Sequence, residues 1–177
     1  MHTPTVFLVL FAFCFVSFVA GRNRSRVLAL RLGGLATLHS LPKHYGYMAA
    51  AWAALPALFL LVLWLGFESG VLYELVVAKL PQTTRDMPDS ELGLYYNQIQ
   101  SFAVGSIDAT QLDLVQVQAA AHYRELVASS GQIKAVMVIL VAAVGALLAI
   151  RQVTPDLRAR NHVEKILTSV LFFCSFI

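Results

Sequence analysis

Apolar residues along this chain are gathered into three long blocks and one shorter block, separated by polar stretches. The long blocks lie within residues 4–20, 45–66 and 133–150, and the shorter one occupies residues 166–177. A helix needs roughly 20 apolar residues to cross about 30 Å of hydrocarbon, and the long blocks come close to that length. The pattern therefore predicts an all-α integral membrane protein with three transmembrane helices and the start of a fourth.

The shorter block has only about a dozen residues, well below the number that a spanning helix needs. A terminal carboxylate in the middle of a bilayer is energetically costly. We therefore expect the fourth helix to be truncated and the chain to be the N-terminal piece of a longer protein.

The polar region between the second and third blocks shows a helical pattern. Pro88, Asp89 and Ser90, followed by Glu91, provide helix-start chemistry, and apolar residues then recur every three or four positions up to residue 105. A second amphipathic helix fits residues 108–130, with Gly131 as its expected stop. The pattern predicts a helical hairpin within residues 67–132.

Charged residues orient the predicted spans. Residues 21–44 carry five basic residues and no acid, and residues 151–165 are also basic in balance, whereas residues 67–132 are rich in Asp and Glu. Loops with excess Lys and Arg face the cytoplasm. The first block has no basic residue before it and three arginines directly after it, which is typical of an uncleaved anchor with its N-terminus outside.

The predicted order in the membrane follows from these blocks and charges. It comprises transmembrane helix 1 at 1–20, a cytoplasmic basic or interfacial loop at 21–44, transmembrane helix 2 at 45–66, an external helical region at 67–132, transmembrane helix 3 at 133–151, a cytoplasmic loop at 152–164 and the truncated fourth helix at 165–177.

Composition supports a membrane protein, since 58% of the residues are hydrophobic and only 13% are charged. The formal charge of +3 does not indicate nucleic-acid binding, because the basic residues flank apolar blocks. The stretch 26–46 alternates basic and apolar residues and is typical of a segment lying against anionic headgroups. Cys14 and Cys174 lie in apolar segments and are expected to pack as small hydrophobic residues.

Candidate chemistry is sparse. His39, His44 and His162 are predicted inside and His122 outside, so they cannot converge on one metal ion. Ser40 has no partnered base in a recognisable motif. The sequence predicts no catalytic, cofactor-binding or metal-binding residue and no enzyme activity, and it identifies no substrate-binding residue.

Small residues recur at helical spacing inside two predicted spans. Ala49, Ala53 and Ala57 lie four residues apart, and Gly145 and Ala149 do the same. Small residues at this spacing allow transmembrane helices to approach closely. They predict helix packing in a bundle.

Two segments resemble a known family. The stretch 38-LHSLPKHYGYMAAAWAALPAL-58 resembles the N-terminal extension of some bacterial PstC proteins, a permease subunit of the phosphate ABC importer. The stretch 160-RNHVEKILTSVLFFCSF-176 is similar to the start of the permease core. The resemblance implies a second permease subunit, an ATPase subunit and a periplasmic phosphate-binding protein as partners, with ATP hydrolysis in the ATPase. It also implies a bacterial inner membrane, so that the N-terminus and the external region 67–132 would lie in the periplasm.

On this resemblance the chain is the N-terminal portion of the permease, which anchors the complex and docks partners rather than forming the translocation path. We hypothesise that the external hairpin modulates docking of the binding protein. A membrane sensor or regulator with an external helical module is an alternative, although a basic loop and another apolar run follow Ile150, where a sensor would continue into a signalling helix. A small membrane scaffold is a third possible function. The sequence also leaves open whether the substrate is phosphate or a related oxyanion.

Overall fold

A computed structural model describes residues 3–32, 34, 40–108, 112–154 and 157–175 of the 177-residue chain. All regular elements in these ranges are α-helices. They are α1 (Thr3–Arg31), α2 (Pro42–Val77), α3 (Gln82–Arg85), α4 (Asp89–Val104), α5 (Leu114–Arg151) and α6 (Ala159–Ser175).

The chain divides into two compact units. Residues 62–134 form one, here called the middle unit, and the residues before 62 and after 134 form the other, here called the terminal unit. The middle unit contains the end of α2, all of α3 and α4 and the first half of α5. The terminal unit contains α1, the first part of α2, the second part of α5 and α6.

Among the described residues, three helices are long and apolar enough to cross a membrane, which confirms the three predicted apolar helices. The stretches are Pro4–Arg31, Pro42–Val77 and Leu114–Arg151, of 28, 36 and 38 residues. Each extends beyond its apolar block. α6 is a 17-residue amphipathic helix and does not belong to this set. The truncated fourth span stays a prediction.

The continuation of α1 to Arg31 has a packing cause. The predicted span ended at residue 20 and a loop was expected over 21–44, but the buried face of the helix continues through Ser17, Gly21, Ser25 and Ala29. These small residues recur every four positions, so they lie on one face. Because that face stays buried, the segment holds its helical form while its arginines lie on the more exposed faces.

Buried hydroxyl groups on this face are satisfied within α1. The Oγ of Ser17 donates to the carbonyl of Phe13 at 2.8 Å, and the Oγ of Ser25 donates to the carbonyl of Arg22 at 2.8 Å. A hydroxyl bonded back to its own helix leaves no polar group unpaired in an apolar setting. The small serine side chains therefore allow close packing without an unsatisfied donor.

The predicted small-residue packing is present in the terminal unit. Ala49, Ala53 and Ala57 on α2 are fully buried. Gly21 of α1 lies so close to α2 that a Cβ there would be 2.8 Å from the carbonyl oxygen of Tyr45. A Cβ on Gly145 of α5 would overlap the carbonyl oxygen of Trp52. Backbones in such contact need small residues at the crossing.

Tyr45 joins the start of α2 to the segment between α5 and α6. Its side chain is fully buried beside Met48, Ala149 and Val153, and its hydroxyl donates to the carbonyl of Leu157 at 2.9 Å. A buried phenol usually finds such a partner. This contact fixes the beginning of α2 within the terminal unit.

The middle unit has a core of its own. The end of α2 with the turn that follows it, α4 and the first half of α5 contribute residues Leu72, Val76, Leu80, Leu92, Ile99, Ala120 and Tyr123. α4 begins at Asp89, within the residues that offer helix-start chemistry, although its N-cap is Pro88 and no side chain caps it. It ends at Val104, before Gly105, whose φ of 85° lies in the left-handed region that favours glycine.

The prediction that Gly131 stops a helix is wrong. α5 is continuous from Leu114 to Arg151, and Gly131 is buried within it at a negative φ. A glycine ends a helix through the left-handed conformation, and here the helix instead gains from burial on both sides of this position. One helix therefore covers both the amphipathic segment and the third apolar block.

Candidate functional site

The most distinctive polar cluster lies in the middle unit, where α2 and α5 face each other. Trp64 and Glu68 lie four residues apart on α2, and Ser130 and Lys134 lie four residues apart on α5, so each pair occupies one helix face. The four side chains form one hydrogen-bonded group, here called the Glu68–Lys134 cluster.

The bonds in the cluster are short and converge on the carboxylate. The Nζ of Lys134 donates to Oε2 of Glu68 at 2.6 Å, and the Oγ of Ser130 donates to Oε1 at 2.5 Å. The indole Nε1 of Trp64 donates to Ser130 Oγ at 3.2 Å. Both carboxylate oxygens therefore accept a bond, and the serine hydroxyl both donates and accepts.

Burial makes this pair different from a surface ion pair. The side chain of Lys134 is 5% exposed and that of Glu68 is 17% exposed. Removing a charge from water costs several kcal/mol, which only a close and well-bonded partner offsets. Because each charge is matched by the other, the cluster suits a clamp between α2 and α5 better than a site for an external ion.

Sequence reasoning missed this cluster. Glu68 was counted only among the acidic residues of the predicted external region 67–132, and Lys134 fell at the start of the third predicted span. The available signal was a pair of opposite charges, each at the edge of an apolar block and each four residues from a second polar side chain. Pairing across helices is a tertiary property, so the charges alone did not identify it.

A second cluster in the middle unit is aromatic. The ring of Tyr96 lies edge-on to Tyr73 at 4.9 Å and to Tyr123 at 6.2 Å, and Gln100 donates to the Tyr123 hydroxyl at 3.3 Å. Burial, aided by the neighbouring phenols of Tyr123 and Tyr73, raises the pKa of Tyr96 to about 12. These rings fasten α2, α4 and α5 together.

The end of α4 is held by an arginine from α5. Arg124 donates to the carbonyl oxygens of Ala103 and Phe102 at 2.8 and 3.0 Å, and its guanidinium lies 5.3 Å from the centre of the Phe102 ring. Carbonyls in the last turn of a helix lack partners within the helix, and a cation there is favourable. Arg124 therefore stabilises the contact between α4 and α5 in the middle unit.

Within the described ranges, the histidines and Ser40 weighed in the sequence make none of the hydrogen bonds or ring contacts of these clusters. His39 lies outside the described residues, His44 lies near the start of α2, His122 is 3.9 Å from the exposed Glu125, and His162 is exposed on α6. Ser40 accepts a 3.4 Å bond from the backbone N–H of Arg160. Within the described ranges, no three His, Cys, Asp or Glu side chains are grouped as a metal ion would require.

The helices and the family comparison together define the class. Three long apolar helices, packed through small residues, make the chain a multi-pass membrane protein. It belongs to the family described as phosphate ATP-binding cassette transporter, which it matches over residues 7–177. Neither the curated proteins nor the solved structures contain a significant match to it. The match confirms the predicted relation to phosphate ABC transporters, whose partners lie within an ABC transporter complex.

Proposed function

We propose that this chain is the N-terminal part of a PstC-type permease subunit in an ATP-driven phosphate importer. It anchors the subunit in the inner membrane, and the translocation path is formed by other parts of the complex. The family match over residues 7–177 is the observation that carries this proposal. ATP hydrolysis would take place in a partner ATPase subunit.

The Glu68–Lys134 cluster supports an anchoring role. A phosphate path needs cationic or N–H groups that are open to the anion. Lys134 is the buried cation of the predicted spans, and its ammonium is already bonded to Glu68 and is almost fully covered. The contacts of Tyr45 and Gly145 are likewise internal packing contacts. These residues hold helices together rather than receiving a substrate.

The orientation proposed for this role follows the charges. The N-terminus and residues 67–132 lie on the periplasmic side, and the basic segments around residues 22–31 and 151–165 lie in the cytoplasm. The acidic region 67–132 is then available to the periplasmic binding protein, and we propose that its helical hairpin modulates docking of that protein.

Co-purification tests the assignment. A tagged copy of the full gene product would be isolated in mild detergent from phosphate-starved cells and its partners identified by mass spectrometry. We expect the second permease subunit and the ATPase subunit, and we expect neither with an unrelated tagged multi-pass protein. Isolation of the tagged protein without any transporter subunit would contradict the assignment.

Docking has a separate test. Excision of residues 78–113 removes α3 and α4 and leaves α2 and α5 whole. We expect weaker association of the phosphate-loaded binding protein with the reconstituted complex, while the ATPase subunit still co-purifies. Unchanged association would exclude a docking role for the excised segment and would leave the anchoring role intact.

A further inference from the structure

α2 carries a proline in its interior, Pro56. A proline has no backbone N–H, so the carbonyl of Trp52, four residues earlier, cannot accept the bond that closes a normal helical turn. The proline ring also presses against that carbonyl and pushes it away from the helix axis. A helix that is long and apolar enough to span the membrane therefore has one backbone acceptor without its usual donor.

The same carbonyl is where α5 comes into backbone contact with α2. A Cβ on Gly145 would overlap the Trp52 carbonyl oxygen and would lie 3.4 Å from the Cα of Ala53. This approach is tighter than that of α1 at Gly21, where a Cβ would be 2.8 Å from a carbonyl oxygen of α2. In glycine a hydrogen takes the place of the Cβ, so a Cα–H bond of Gly145 points at the Trp52 carbonyl.

The surroundings of this contact are apolar. Ala57 of α2 and Ala142 of α5 belong to one buried cluster on one side of it, and Ala49 and Ala149 belong to another on the other side. All four alanines are fully buried. An alanine side chain has no donor, whereas a buried carbonyl requires one. The Cα–H bond of Gly145 is therefore what α5 offers to the freed carbonyl.

This contact is weaker than the bond that it replaces. A Cα–H···O contact is worth about half as much as an N–H···O bond, so α2 resists bending less here than where its own ladder is complete. We propose that Pro56 and Gly145 together form a hinge, at which α2 bends about the Trp52 carbonyl while that carbonyl stays paired with α5. The hinge gives a long membrane helix one defined place to bend without leaving a buried acceptor unpaired.

Distance measurement by electron paramagnetic resonance tests the bending. Spin labels would be attached at Tyr47→Cys and Val62→Cys, which lie before and after Pro56 at positions 51% and 66% exposed, in the full chain without native cysteines. We expect a broad distribution of label separations that narrows when Pro56→Ala restores the N–H. Leu58→Ala, which trims a side chain near the hinge and leaves the backbone bonds intact, is the control and is expected to leave the width unchanged.

A double variant tests whether the two residues act together. Gly145→Ala is expected to lower the melting temperature of the full chain in detergent by about 4–8 °C, because its Cβ displaces the Trp52 carbonyl. Pro56→Ala lets that carbonyl return to the ladder of α2, so the loss caused by Gly145→Ala is expected to fall to less than about half in this background. Gly21→Ala meets the carbonyl of Tyr45, away from the proline, and its effect is expected to be equal in both backgrounds.

Two outcomes would overturn the hinge. One is a distance distribution that Pro56→Ala narrows no more than Leu58→Ala does. The other is an equal loss of melting temperature from Gly145→Ala with and without Pro56→Ala, since α5 would then contact α2 independently of the proline. If Gly145→Ala alone does not fold, recovery of folding on addition of Pro56→Ala supports the hinge and continued failure contradicts it. Neither outcome affects the family assignment, because the hinge does not depend on transport.

Discussion

Replacing Glu68 by leucine is expected to destabilise the protein more than any surface substitution. The change removes the carboxylate that accepts the bonds from Lys134 and Ser130. The ammonium of Lys134, only 5% exposed, then has no opposite charge within the cluster. A buried charge without a partner is among the costliest defects in a folded protein.

The expected magnitude follows from burial. Breaking a buried ion pair from one side costs about 3–5 kcal/mol. Lys134→Met is expected to cost less, about 1–3 kcal/mol, because Glu68 is 17% exposed and keeps the Ser130 hydroxyl. The double variant replaces both charges by apolar groups of similar size, so its cost is expected to be well below the sum of the single costs.

The assay is the free energy of unfolding of the full chain in detergent micelles, followed by circular dichroism during denaturant titration. Glu125→Gln is the control, because the Glu125 side chain is 81% exposed and its contact with His122 is a long one of 3.9 Å. Its free energy of unfolding is expected to change by less than about 0.5 kcal/mol. Additive costs of Glu68→Leu and Lys134→Met, or a cost of Glu68→Leu no larger than the control, would refute the clamp.

Three further predictions concern packing, ionisation and orientation. Gly145→Ala places a Cβ against a backbone carbonyl of α2 and is expected to lower the free energy of unfolding by about 1–3 kcal/mol. Gly70→Ala, which has open space around its Cβ, is expected to raise the free energy of unfolding by up to about 1 kcal/mol. Equal effects of the two substitutions would contradict the close approach of α5 to α2 at Gly145. The phenolate absorbance difference between the unchanged protein and Tyr96→Phe is expected to show a midpoint near pH 12. Because this pKa is raised above its ordinary value of about 10, the stabilisation by neutral Tyr96 is complete below pH 10 and is lost as the pH rises through 12, and a midpoint near 10 would contradict the burial. In a variant without native cysteines, Asp86→Cys is expected to react with a membrane-impermeant maleimide in intact spheroplasts and Arg158→Cys only after lysis, and the reverse would overturn the orientation.

The three long helices were predictable because hydropathy reports the feature that makes them form, an uninterrupted apolar run. The extension of α1 to Arg31 was not, since the face that holds it consists of Ser17, Gly21, Ser25 and Ala29. These residues add little to hydropathy, and their role is to let two backbones approach. A search for small residues every four positions would have found this face.

In the middle unit, tertiary packing also overrides what the local sequence pattern predicts. Gly131 carries a stop signal in the sequence, yet α5 is packed on both sides of it and the helix continues. The Glu68–Lys134 cluster depends on residues 66 positions apart. Sequence patterns report which faces are apolar, and they do not report which polar residues two faces bring together.

Phosphate uptake tests the central claim most directly. Cells lacking this gene would be starved of phosphate and supplied with radiolabelled phosphate, with and without a plasmid copy of the full gene product. The account predicts that high-affinity uptake is lost on deletion, is restored by the plasmid copy, and is not restored when the coding sequence for residues 1–151 is removed from it. Uptake that is unchanged by the deletion, or fully restored without residues 1–151, would contradict the assignment of this chain to the anchor of a phosphate importer.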